Sequence, residues 1–123
     1  MGSAACAPIA ADAPTTSDAA AQNGTLFVAN KFGNTLSKID LASGEEVLRV
    51  ESCTTPHELA TSPDGAHVAL ACYGGTSVDI FRTDDLVRVK SVELGASARP
   101  HGIVWHANDA LYATAEGRRS VFW

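Results

Sequence analysis

Two histidines follow prolines at related points of the chain, Pro56-His57 and Pro100-His101, 44 positions apart. Imidazole titrates near neutrality and ligates metals, so repeat-related rings around one axis could converge on a metal or an anion. Glu58 stands beside His57 where the second pair has Gly102, and a His-Glu pair can serve as base or ligand. A plainer reading competes with this one. His57 alternates with Leu59 and Thr61, and His101 with Ile103 and Trp105, which sets each ring against packed surface. A histidine in that setting holds neighbouring backbone by hydrogen bond. The structural role is the expectation, and ligation is the alternative.

Glu116, Arg118 and Arg119 form a second candidate group, suited to an acidic or sugar-like ligand or simply to a solvated loop. Trp105 and Tyr112 read as core. The sequence has no Gly-x-Ser-x-Gly, no His-Glu-x-x-His and no phosphate loop.

The elements that must position these residues repeat. Leu26-Phe27-Val28-Ala29-Asn30 aligns on Val68-Ala69-Leu70-Ala71-Cys72 at an offset of 42, and Leu111-Tyr112-Ala113-Thr114-Ala115 aligns on the same five at 43. Gly33 then falls on Gly75, Leu36 on Val78, Val47 on Val89 and Val50 on Val92. The fullest copy, Pro56 to Leu94, reads as four strands. His57 to Ser62 ends in Ser62-Pro63-Asp64-Gly65, where proline presets φ, Asp caps the turn and Gly accepts a positive φ. His67 to Tyr73 is apolar on both faces, as a strand buried between neighbouring sheets should be. Gly74-Gly75 permits a reversal into Ser77 to Arg82, and Val87 to Leu94 alternates as an exposed outer strand. A period of roughly 40–45 residues is that of four-stranded propeller blades. The fold class expected is all-β, an incomplete β-propeller of four-stranded antiparallel blades. The blade repeats are 24–55, 56–99 and 100–123, after an Ala/Pro/Thr/Ser-rich tail over 1–23.

Leu26-Phe27-Val28-Ala29-Asn30 and Leu111-Tyr112-Ala113-Thr114-Ala115 resemble the Tyr-Val-Thr-Asn motif of YVTN-type, YncE-like propeller repeats. Asn34 to Asp40 with Ser43-Gly44-Glu45 is similar to that family's next strand and turn, and Pro56-His57 with Ser62 to Gly65 to its inner strand and turn. His106-Ala107-Asn108-Asp109 departs from that turn in the third copy. The resemblance implies a non-enzymatic binding or interaction module. The alternative it implies is part of a propeller enzyme, either a metal-dependent lactonase-like hydrolase or a quinone-linked dehydrogenase subunit. Propeller geometry places Lys31 to Asn34, Tyr73 to Thr76, Glu116 to Arg119, Thr54 to His57 and Ser97 to His101 on one rim. Turn formers occupy the other, so a ligand is expected on the first.

At 123 residues and 12.8 kDa the chain accommodates one domain, too short to close a ring of four to eight blades. It is expected to be a fragment of a longer propeller, or less simply a chain that completes its ring by self-association. A net charge of −5 with scattered Lys and Arg argues against nucleic acid, and no apolar run spans a membrane. The expected partner is a small ligand or a protein. No cofactor is expected, and no metal unless His57 and His101 hold one. The tail is too poor in large apolar residues to order itself. Ser3-Ala4-Ala5-Cys6 faintly resembles the end of a bacterial lipoprotein signal, which would place the protein in the periplasm or outside the cell. Cys6, Cys53 and Cys72 make neither a disulfide framework nor a metal spacing. Cys72 reads as a small buried hydrophobe, with a Cys53–Cys72 bridge as the open alternative.

Overall fold

Each copy of the repeat becomes one antiparallel sheet, and the sheets stack side by side. The computed structural model describes residues 22–123, so Cys6 and nearly all of the expected tail lie outside the described residues. The first sheet orders β1 (Thr25–Asn30), β2 (Thr35–Asp40) and β3 (Glu45–Glu51). The second orders β4 (Pro56–Thr61), β5 (His67–Cys72), β6 (Ser77–Arg82) and β7 (Arg88–Glu93). The third orders β8 (Pro100–Trp105), β9 (Leu111–Ala115) and β10 (Ser120–Phe122). A single 3-10 turn, Glu116–Arg118, is the only helical element among the described residues.

The offset of 42 recurs in the register itself. Leu36 pairs with Val50 and Val78 with Val92, and each ladder slips by one residue just beyond, at Lys38/Ile39 and at Ile80/Phe81. The turn chemistry recurs as well. Asp64 accepts hydrogen bonds from Ser62 Oγ at 2.5 Å and Ala66 N at 3.0 Å, with Gly65 at φ 73°. In the divergent third copy Asn108 accepts from Ala110 N at 3.1 Å, and Asp109 takes the left-handed position at φ 64°.

Strand β5 is the centre of the packing because it is buried on both faces. Val68 and Leu70 enter one apolar cluster with Leu36, Phe81 and Leu86. Ala69 faces the other way, into a cluster with Val78, Ile103, Ala113 and Ala115. Large residues thus meet the first sheet and small ones let the third approach closely, which is why its sequence is apolar without alternation. The outer sheet faces have no such partner. Val47 on the first sheet is 50 % exposed, and Val104 and Val121 on the third are 58 % and 57 % exposed. Tyr112, expected in the core, lies on that open third face as well, because the neighbour that would cover it is not among these three sheets.

Cys53 and Cys72 are joined by a disulfide, with their Cα atoms 5.6 Å apart. The expectation of Cys72 as a plain buried hydrophobe is corrected in part, since it is buried and also covalently tied. Its equivalents solve the same strand end differently. Asn30 donates to Thr35 Oγ1 at 3.0 Å and Ser37 Oγ at 2.7 Å, and Ala115 carries no side-chain tie.

Candidate functional site

The chain enters β4 and β8 through two matching links, and their geometry aims the histidines. Thr55 and Arg99, each immediately before the proline, both take φ 50°, a left-handed conformation that costs a non-glycine residue about 1 kcal/mol. The links are held from the facing loop. Gly74 N donates to Thr54 O at 3.0 Å and, in the next sheet, Gly117 N donates to Ala98 O at 3.0 Å. These glycines are required by close approach, since a Cβ on Gly74 would lie 2.9 Å from Thr54 O and one on Gly117 would strike Ser97 O. In the first sheet, which meets no such link here, the equivalent position is Phe32, 96 % exposed.

Past the proline, both inner strands bulge at the same place. Pro56 pairs with Cys72 and Leu59 with Leu70, so His57 and Glu58 together oppose one residue. Pro100 pairs with Ala115 and Ile103 with Ala113, so His101 and Gly102 do likewise. A bulge of two residues against one re-aims a side chain and breaks the alternation of the strand. The rings are partly buried between the two strands, as expected, but the expected hydrogen bond to backbone is not made by His57 Nδ1. His57 and His101 face each other with centroids 3.9 Å apart and planes tilted by 37°.

Glu58 completes the group. Its Oε1 lies 4.0 Å from His57 Nδ1 and 3.5 Å from His101 Nδ1, at or beyond the limit of a hydrogen bond. His57 Nδ1 is buried and has no hydrogen-bond partner. Its counterpart in the next strand is Gly102, where an added Cβ would lie in ordinary contact with Glu58 Oε2, at 3.8 Å. One ligand atom from each of His57, Glu58 and His101 lies within 4.8 Å of the others.

Tyr73, in the loop after β5, is the residue that sequence reasoning placed on the rim without singling it out. Its ring centroid is 5.4 Å from that of His57 and 5.5 Å from that of His101, and Arg99 lies over its face at 4.6 Å and donates to its hydroxyl. Lys31 Nζ stands 5.6 Å from the same ring. Burial holds the His57 imidazole below its usual pKa, the neighbouring His101 and Lys31 push the same way, and Glu58 and Glu116 oppose them. His57 is therefore neutral over a wider range of pH than a free imidazole, with a nitrogen lone pair available.

The expected sites divide. The structure brings His57, Glu58 and His101 together, with Glu116 near enough to act on His57 through its charge. Arg118 is turned away to the link that leaves the outer strand, where Nη1 reaches Ala96 O at 3.5 Å. Arg119 sits in a left-handed turn at φ 50° with its N–H on Glu116 O at 3.2 Å. A cleft of about 310 Å³ opens on the opposite rim between Asp64, His67, Lys90, Trp105 and Asp109, away from the imidazoles.

No protein-family model matches the chain, and no curated protein matches it. Among solved structures it is similar to virginiamycin B lyase from Staphylococcus aureus, with a TM-score of 0.70 at 15 % identity over 81 % of this chain and 34 % of that one. It is similar to hydrazine synthase from Kuenenia stuttgartiensis, with a TM-score of 0.65 at 21 % identity over 80 % of this chain and 31 % of that one. It also matches the β-propeller domain of Cps50 (Swd1) from Myceliophteria thermophila, with a TM-score of 0.55 at 19 % identity over 74 % of this chain and 31 % of that one. The fold is an incomplete β-propeller. In propeller terms β4 and β8 are the first strands of successive blades, and both bulge at the residue after the proline. The chain spans about a third of the length of these structures. By their names they include enzymes as well as a propeller domain, so likeness of fold does not choose between catalysis and binding.

Proposed function

We propose that this chain is a segment of a non-enzymatic propeller binding module of the YVTN/YncE-like kind, which takes a small ligand at its inner-strand rim. The observation that carries the reading is the convergence of His57, His101, Glu58 and Tyr73 at that rim, with a buried imidazole nitrogen left unpaired. A buried polar atom without a partner costs about 1–3 kcal/mol, a cost that a bound ligand would offset. Lys31 and Arg99 stand at the border of the group and suit a ligand with a negative or polar edge. The Cys53–Cys72 bond supports a periplasmic or extracellular location, since disulfides persist in oxidising compartments. The open sheet faces support a ring completed by further blades or by other copies of the chain.

A thermal-shift screen of the full chain against small carboxylates, phosphates and sugars tests the reading. Hits are expected to lose their effect in Tyr73→Ala and Arg99→Ala and to keep it in Lys90→Ala on the opposite rim. Hits that Lys90→Ala abolishes while the rim variants retain them would place the ligand elsewhere and overturn the proposal.

A further inference from the structure

We infer that His57, His101 and Glu58 form a binding site for a divalent transition-metal ion of the zinc type, an inference that deepens the rim reading by naming its ligand. Two imidazoles and one carboxylate are a donor set that zinc accepts, with a further position open to water or to a ligand's oxygen. The required movement is small. Zinc holds nitrogen and oxygen at about 2.0–2.2 Å, which places donor atoms of a tetrahedron roughly 3.4 Å apart. The three side chains already offer atoms within 4.8 Å of one another, and Glu58 Oε1 stands 3.5 Å from His101 Nδ1.

The strand geometry suits a cation held between the blades. Each donor comes from an inner strand, and both histidines stand in bulges of the same register, so the backbone fixes their separation. His57 Nδ1 is buried without a hydrogen bond, so a ligand there would displace no protein partner. Glu58 lies beside the two rings and, among the described residues, has no hydrogen-bonded counter-ion. Of the fixed charges near His57, Lys31 acts more strongly than Glu58 or Glu116, so the donor geometry rather than the surrounding charge recommends the site. The other cluster of ligand types, Cys53, Cys72 and Asp79, offers no thiolates, because its two sulfurs are bonded to each other.

The test uses the untagged full chain carrying Cys6→Ser, so that no free thiol competes for metal. Zinc at about a hundredfold excess over its dissociation constant should raise Tm by roughly 10 °C, and magnesium should not. His57→Ala and His101→Ala should lose the shift, Glu58→Gln should show a smaller one, and His67→Ala on the opposite rim should keep it. Should an alanine variant fail to fold, cobalt(II) added to the parent chain reads the site directly. A d–d absorption of tetrahedral or five-coordinate intensity, saturating at one equivalent and displaced by zinc, supports the inference. No zinc shift together with no cobalt spectrum overturns it, as does a shift that persists in both histidine variants. Small-molecule hits that still depend on Tyr73 and Arg99 would then leave the rim reading standing without the metal.

Discussion

Breaking the Cys53–Cys72 bond is the perturbation whose size follows most directly from the structure. The two residues are 19 positions apart, and a loop of about that length loses chain entropy in the unfolded state worth about 3 kcal/mol at 25 °C. The bond also fastens the link entering β4 to the end of β5, beside the left-handed Thr55 and the bulge that aims His57. Replacement by alanine is the clean substitution, because Ala115 fills the same position in the next blade, where it is fully buried. The Cys53→Ala/Cys72→Ala chain is therefore expected to be less stable by about 3 kcal/mol, with the loss borne by loop entropy rather than by a cavity. Urea unfolding followed by fluorescence, with and without dithiothreitol, measures it. Reductant should lower the parent to the level of the double variant and leave the double variant unmoved. Under denaturing, non-reducing conditions a thiol reagent should find one reactive cysteine of the three. Three reactive thiols, or a urea midpoint indifferent to reductant, would refute the reasoning.

Three further outcomes follow from other parts of the molecule. His57 should titrate below the usual 6.5 in an NMR pH series. Because its folded pKa is depressed, the unfolded chain binds more protons as pH falls through about 6.5, so stability declines from there toward the folded pKa and the decline should shrink in His57→Ala. Gly117→Ala drives a methyl group into Ser97 O and should cost about 1–3 kcal/mol in chemical denaturation, whereas Gly44→Ala, open to solvent at φ 72°, should cost only its backbone strain of about 1 kcal/mol. The bare faces carrying Val104, Tyr112 and Val121 should make the chain self-associate in light scattering, and Val104→Lys/Val121→Lys should reduce the apparent mass.

The repeat and the four strands of its fullest copy were legible in spacing alone, as was the equivalence of Leu36 with Val78 and of Val50 with Val92, whereas the pairing of Leu36 with Val50 and of Val78 with Val92 came from the structure. The rim assignment was legible too, since strand order fixes which loops share an end. What was not legible is the aim of the two histidines. Alternation put His57 in step with Leu59, and nothing in Pro56-His57-Glu58-Leu59 marks the extra residue that the bulge absorbs. The Glu58 carboxylate could be placed only once two strands from different blades were side by side. Tyr73 was hidden by looking like one more loop residue. The disulfide was legible only as an alternative, because Asn30 and Ala115 at equivalent positions gave no sign that one copy would be covalently tied.

The repetition of the inner-strand bulge has a consequence for how such a protein could change its ligand. Because both bulges sit outside the pairs that set strand register, the residue following each proline can be exchanged without disturbing the sheet that carries it. The second and third sheets each contribute one such side chain at the same rim position. Histidine with glutamate in one blade and histidine with glycine in the next are two settings of the same dial. In the proposed binding ring, such positions would let ligand choice be edited blade by blade while the architecture stays constant.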